Sequence, residues 1–151
     1  MKSGFVERPQ LLQLFLSGAH RQLTLVEAPA GYGKTTLLKS WQHHFEAAGI
    51  ATTWITIDPA LNDFEVSLEA ALAKRARELS DQMVGLTEKR AFLFLDDFHE
   101  AGSFETQTIS QLLQRGGHNF HIIIGTRMPP AFPLAKLRLS GQVTDFGLEE
   151  L

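Results

Sequence analysis

Cysteine is absent from the 151 residues, so neither a disulfide framework nor a cysteine zinc site is available to this chain. A protein without thiols loses nothing in a reducing compartment, and the expected location is the cytoplasm. Long apolar runs are also missing. Stretches such as Ala91 to Leu95 and Ile122 to Ile124 are far too short to cross a bilayer. The N-terminal Met-Lys-Ser-Gly-Phe-Val-Glu-Arg-Pro has no apolar region of the kind that directs secretion. Basic excess is lacking as well: 14 Lys and Arg stand against 17 Asp and Glu, a formal net charge of −3. Domains that grip nucleic-acid phosphates normally show the opposite balance, so no direct nucleic-acid binding and no membrane association are expected. Internal repeats and low-complexity linkers do not occur. What is present, 44% hydrophobic and 21% charged residues, is the composition of one ordinary globular domain over residues 1–151.

The periodicity alternates between compact apolar runs and helical stretches, the pattern of an α/β fold with a parallel sheet. Pro9 opens a helix over Gln10 to Leu16, with Gly18 ending it. Leu23 to Glu27 reads as a strand, Thr35 to Ala48 as a helix stopped by Gly49, and Ile50 to Ile57 as a strand rich in β-branched residues. A long helix covers Phe64 to Leu79, followed by a strand at Ala91 to Leu95 and a helix at about Thr106 to Arg115. Phe120 to Gly125 is a fourth strand. After the proline-rich Met128-Pro-Pro-Ala-Phe-Pro come a short helix near Leu134 to Leu139 and a fifth strand at Gln142 to Phe146. Continuous rather than alternating apolar strands imply helices on both faces of the sheet.

The strongest chemical signal is Ala28-Pro-Ala-Gly-Tyr-Gly-Lys-Thr-Thr between a strand and a helix. It fits the phosphate-loop pattern G-x-x-x-x-G-K-[ST], except that Ala28 replaces the first glycine. Gly31 and Gly33 can take positive φ, turning the backbone N–H groups of Ala30 to Gly33 around phosphates. The helix start adds its partial positive charge. Lys34 can bridge the terminal phosphates, Thr35 can ligate magnesium, and Thr36 can support the α-phosphate. The bland alternative is a glycine turn with a surface lysine. The relaxed pattern arises by chance in roughly one chain of this length in a hundred, before its strand-and-helix context is counted.

Phe92-Leu-Phe-Leu-Asp-Asp-Phe-His delivers two carboxylates at a strand's C-terminal end, where ligands of parallel sheets sit. Asp96 is the candidate magnesium ligand, and Asp97 the carboxylate that can orient or polarise a water. Acidic pairs also cap helices, so the pair gains its weight from the loop before it. Arg127, ending the strand after Gly125 and Thr126, can stabilise charge on a terminal phosphate or simply satisfy a carboxylate at the rim. His99 reads as a loop residue. His43, His44, His118 and His121 show no metal-site spacing. Trp41 and Trp54 read as packing residues.

These segments, in this order, closely resemble one group: Val6-Glu-Arg-Pro, Leu23-Thr-Leu-Val-Glu-Ala-Pro-Ala-Gly-Tyr-Gly-Lys-Thr-Thr-Leu-Leu, Trp54-Ile-Thr-Ile-Asp, Leu95-Asp-Asp-Phe-His, Gly125-Thr-Arg and Pro133-Leu-Ala-Lys-Leu-Arg. The group is the STAND-class ATPase domain of large LuxR-type transcriptional regulators, the family of the maltose-regulon activator. The resemblance implies a three-layer P-loop NTPase fold, with five parallel strands in the order 5-1-4-3-2. It implies an ATP/ADP switch with Mg2+, Arg8 and Pro9 near the nucleotide, and Arg127 sensing the terminal phosphate. It further implies self-association of the open form. The family continues into a helical subdomain, a winged helix, sensor repeats and a DNA-binding helix-turn-helix, none of which fits within these residues. Weak self-association and weak or no hydrolysis are therefore expected of this stretch alone. The 62 positions from Lys34 to Asp96 are shorter than the family's usual spacing. A small P-loop kinase, and an interaction module with degenerate nucleotide binding, remain alternatives. A GTPase is disfavoured, because no Asn-Lys-x-Asp guanine motif occurs.

Overall fold

The computed structural model describes residues 8–81, 90–115, 120–147 and 151, the side chains of 8 and 79–81 excepted. In chain order the elements are α1 (Arg8–Ser17), β1 (Leu23–Glu27), α2 (Lys34–Ala47), β2 (Thr52–Thr56), α3 (Phe64–Asp81) and β3 (Ala91–Asp96). A short 3-10 turn (Phe98–Glu100), α4 (Ser103–Gln114), β4 (Phe120–Thr126), α5 (Ala135–Leu139) and β5 (Val143–Phe146) follow. All five strands pair in parallel in the order β2-β3-β4-β1-β5, which is the implied 5-1-4-3-2 read from the other edge.

Each buried strand sends alternate side chains to two separate cores. Leu23 and Leu25 face Leu93, Leu95, Ile122 and Ile124, beneath Phe64, Leu68 and Ala71 of α3, Ile109, Leu112 and Leu113 of α4, and Leu134 before α5. Val26, Phe92, Phe94 and Ile123 face the other way, against Leu11 and Phe15 of α1 and Leu37, Leu38, Trp41 and Phe45 of α2. Aromatic stacking supports this second core: Phe15 lies 4.2 Å from Trp41 and Phe45 lies 3.9 Å from Phe92, ring centre to ring centre. Trp54, on the edge strand β2, packs on Phe94 and carries the Lys39 ammonium over its ring. Both tryptophans are packing residues.

Most boundaries fall within one or two residues of the sequence pattern, and two of the shifts have a visible cause. Helix α4 begins at Ser103 rather than Thr106, because the Gly102 N–H donates to the Glu105 carboxylate at 2.8 Å and closes the first turn. Strand β2 begins at Thr52 rather than Ile50, since Ile50 donates its N–H to Phe45 O at 2.9 Å in closing α2 beside Gly49. Among the described residues no helix is long and apolar enough to cross a membrane.

The crossover from β1 runs through α2 on one face, and the crossover from β4 through α5 on the other. They leave their neighbouring strands in opposite directions. The crevice at the C-terminal ends of β1 and β4 is therefore the topological switch point, where open α/β sheets bind ligands. Helix α1 packs on the same face of the sheet as α2. Gly18, just past the C-terminus of α1, is pressed so closely on Thr144 of β5 that a Cβ there would collide with the threonine hydroxyl.

His121, at the far end of β4, is a core residue. Its Nδ1–H donates to Arg21 O, and its Nε2 accepts the Thr24 hydroxyl, each at 2.7 Å. Arg21 O accepts the proton, which sets the neutral tautomer. Burial, first, holds the ring down at about 4, aided by the charge of Arg90 and of His20; the bond to Arg21 O opposes it. An unfolded chain takes up this proton near 6.5 and the folded one only near 4. The contribution is thus complete above pH 6.5 and is lost as pH falls toward 4, by about 3 kcal/mol. Denaturant titrations at pH 7 and 4.5 should show His121→Phe flattening this loss relative to wild type. An unchanged slope would place the ring in water.

Candidate functional site

The segment between β1 and α2 turns on two left-handed residues, Gly31 at φ +88° and Gly33 at φ +75°. Nothing lies within 4 Å of a Cβ built at Gly31, so the backbone angle and not space demands glycine there. Ala28, the departure from the loop pattern, is not among the positive-φ residues. It is buried and donates its N–H to Thr126 O at 3.1 Å, which extends the β1–β4 pairing by one residue. Alanine is thus accommodated at the first position of the loop.

Gly33 is the N-cap of α2, and Leu37 makes the first helical bond, to Gly33 O at 2.9 Å. The N–H groups of Gly33, Lys34, Thr35 and Thr36 take no partner among the described residues. They present the donors and the dipole end that suit an anion. Lys34 is only 6% exposed, its stem lying along β4, yet its ammonium makes no hydrogen bond or ion pair among the described residues. A cation held by its stem and left without an anion is prepared for an external one. Ala30, Gly31, Tyr32, Thr35 and Thr36 are exposed on the same mouth.

Across the crevice, Asp96 ends β3 at 3% exposure. Its Oδ2 accepts the Thr35 hydroxyl at 2.7 Å, while Oδ1 is buried with no partner among the described residues. An unpaired buried acceptor costs roughly 1–3 kcal/mol, more when charged. The donor set, one carboxylate with a spare oxygen beside a threonine hydroxyl, has the hard-oxygen chemistry that suits Mg2+. No group of three metal-binding side chains occurs among the described residues, so phosphate oxygens and water would have to complete any such shell.

Asp97 has left the strand. Its φ of 56° is left-handed, and it caps the 3-10 turn by accepting the Glu100 N–H at 2.9 Å. The sharp turn, rather than the alternation of an extended strand, separates its carboxylate from that of Asp96. Such strain in a non-glycine residue costs on the order of 1 kcal/mol and clusters at functional sites. Arg127 is exposed just past β4 and donates its N–H to His99 Nδ1 at 3.3 Å. Thr126 is buried, its hydroxyl donating to Met128 O at 2.8 Å. Pro9 is exposed in the first turn of α1; Arg8 begins that helix, and its side chain, like His118, lies outside the described residues.

A family model described as "AAA domain" matches residues 10–139. The chain belongs to this AAA domain family. Its fold agrees: the AAA domain aligns over 97% of its length with a crystal structure of a DNA replication initiation factor, at TM-score 0.59 and 14% identity, covering 47% of that chain. DnaI superposes at TM-score 0.54 and 14% identity, with 97% of this chain and 82% of that one covered. Among curated proteins, the HTH-type transcriptional regulator MalT of Yersinia pestis is 26% identical over 172 residues, 97% of this chain and 19% of the relative. The serine/threonine-protein kinase PknK of Mycobacterium tuberculosis is 24% identical over 166 residues, 93% of this chain and 15% of the relative. The AAA domain thus spans less than a fifth of the curated relatives it matches. The likeness to the ATPase region of LuxR-type regulators stands with these matches.

Sequence reasoning passed over two residues of this site. Gly125 lies in β4 opposite the crevice, where a Cβ would sit 2.9 Å from Asp96 Oδ1 and 3.2 Å from Leu38 Cδ2. A glycine inside an apolar strand is the signal of such an approach. His99, read as a loop residue, is the acceptor at Arg127, and nothing local in the sequence announces that contact.

Proposed function

We propose that this AAA domain is the adenine-nucleotide switch of a LuxR-type transcriptional regulator, binding ATP or ADP with Mg2+. One observation carries the reading: four N–H groups at the start of α2 and the Lys34 ammonium, all without a partner among the described residues, meet the Thr35–Asp96 pair at the switch point. In this reading the backbone of Ala30, Gly31, Tyr32 and Gly33 wraps the phosphates, Lys34 bridges the terminal ones, and Thr36 supports the first. Arg8 and Pro9, at the start of α1, flank the nucleotide. Magnesium would be held by Thr35 and Asp96 and would neutralise charge on the phosphate oxygens. Asp97 orients a water, and Arg127 senses the terminal phosphate. The MalT likeness supports the regulatory setting. Exposed Tyr32, Leu61, Phe104 and Met128 on the loops and helix starts at this edge support weak self-association.

Hydrolysis by these residues alone is slow in this reading. Thr35, Thr36 and Arg127 are open to solvent, and water in the mouth screens the charges that phosphoryl transfer needs fixed. Asp96→Asn should weaken Mg2+-dependent nucleotide binding about tenfold or more, because the variant replaces a charged oxygen with an amide. Asp97→Asn should leave binding within about twofold and lower a phosphate release already well below ~1 s−1. Calorimetry with ATP, ADP and GTP, each with and without Mg2+, together with phosphate release, reads both effects. Equal phenotypes for the two variants would overturn the division of roles, and wild-type turnover near ~1 s−1 would overturn the switch reading.

A further inference from the structure

The 3-10 turn after β3 reaches across to the end of β4 through one side chain. The His99 side chain is 7% exposed, and its Nδ1 lies 3.3 Å from the Arg127 amide nitrogen, which donates to it. Because the backbone supplies the proton, Nδ1 must be bare, and the ring proton belongs on Nε2. Glu100 Oε2, 3.7 Å from Nε2, favours that arrangement by its charge. The turn is itself held. Asp97 O accepts the Glu100 N–H and Phe98 O the Ala101 N–H, each at 2.9 Å, while Phe98 is buried against Phe132 at 6.0 Å between ring centres. His99 is therefore the stiff link between the segment bearing Asp97 and the segment bearing Arg127.

The Arg127 side chain is exposed and makes no ion pair or side-chain hydrogen bond among the described residues. Its direction is left to its backbone, and that backbone is anchored by Thr126 on one side and by His99 at its own N–H. We propose that His99 is a positioning residue that aims Arg127 at the terminal phosphate and ties it to Asp97, so that the two answer together to whether that phosphate is present. The proposal rests on the nucleotide reading above and assigns the control of ATP against ADP discrimination to a residue outside the phosphate loop. His99 touches no nucleotide in this account. It acts through Arg127.

The test compares His99→Asn, whose Oδ1 stands where Nδ1 does, with His99→Leu, which keeps bulk and removes the acceptor. Calorimetry with Mg2+ measures the Kd of ATP and of ADP for wild type, both variants, Arg127→Ala and the double variant His99→Leu/Arg127→Ala. His99→Leu should shift the ATP-to-ADP preference toward that of Arg127→Ala by about three- to tenfold, the size of one lost hydrogen bond. His99→Asn should stay within about twofold of wild type, and the double variant should be no worse than Arg127→Ala. Hydrogen exchange of the Arg127 amide in the nucleotide-free wild type gives a readout needing no variant: it should be slowed, and His99 should carry its proton on Nε2 by 15N shift. A fast-exchanging amide, or a proton on Nδ1, overturns the link. A wild type that discriminates while His99→Leu discriminates equally overturns the His99 step alone. A wild type that binds ATP and ADP alike, or neither, overturns the sensing role of Arg127, and the proposal falls with it. His99→Asn failing as His99→Leu does would make ring packing, not the acceptor, the cause, and would also overturn it.

Discussion

Replacing Lys34 with alanine should weaken Mg2+-nucleotide binding by about 2–5 kcal/mol, from about thirtyfold to a few thousandfold in Kd. Lys34 is the one side-chain cation that the loop buries beside the unpartnered N–H groups of α2. The N–H dipoles attract an anion over a short range; the full charge of Lys34 acts where they cannot reach, on the terminal phosphates. The same variant should still fold, with a loss of stability limited to the packing of its stem. Its ammonium forms no ion pair or hydrogen bond among the described residues, so truncation breaks no polar contact and removes only buried methylenes. Calorimetry and thermal melting together separate the two effects. A variant that melts like wild type and binds nucleotide equally well would remove the phosphate-loop reading.

Gly125→Ala should be damaging both to stability and to the proposed site. Exchanging glycine for alanine in a strand ordinarily gains stability, because glycine loses more backbone freedom on folding. Here the new Cβ would lie 2.9 Å from Asp96 Oδ1, 3.2 Å from Leu38 Cδ2 and 3.6 Å from Lys34 Cγ. Leu38 is fully buried in the α1/α2 core, and Asp96 is tethered to Thr35 through its other oxygen, so neither yields freely. Overpacking of this kind costs about 1–3 kcal/mol. The displaced group is also the proposed cation ligand, so the gain in affinity that Mg2+ gives a nucleotide should be lost with it. A denaturant midpoint equal to wild type, with the Mg2+ dependence intact, would show that the strand end relaxes and that glycine is incidental.

The elements themselves were readable because each carries a local signature. Continuous apolar runs at Leu23–Glu27, Ala91–Asp96 and Phe120–Thr126 mark strands covered on both faces, and the two cores confirm that both faces are used. The errors sit at ends where a single hydrogen bond decides. Glu105 pulls the start of α4 back to Ser103, and the closure of α2 takes Ile50 away from β2. Neither bond alters the hydrophobic period from which the elements were read.

The sequence by itself determined the fold class and the local geometry of the loop. Spacing along a chain dictates what adjacent backbone groups can do, and Gly31, Gly33, Lys34 and Thr35 act as neighbours. It also named Asp96, since an acid ending an apolar parallel strand arrives at the ligand edge wherever that strand lies in the sheet. What it could not determine are contacts between segments far apart in the chain. Only the placing of β4 between β1 and β3 brings Gly125 against Asp96, and only the left-handed turn at Asp97 swings His99 across to the Arg127 amide. The same holds for His121, whose partners Thr24 and Arg21 lie about a hundred residues away and whose ring is neutral because the sheet buries it. Local spacing sets local geometry; desolvation and cross-strand contact exist only once the sheet has closed.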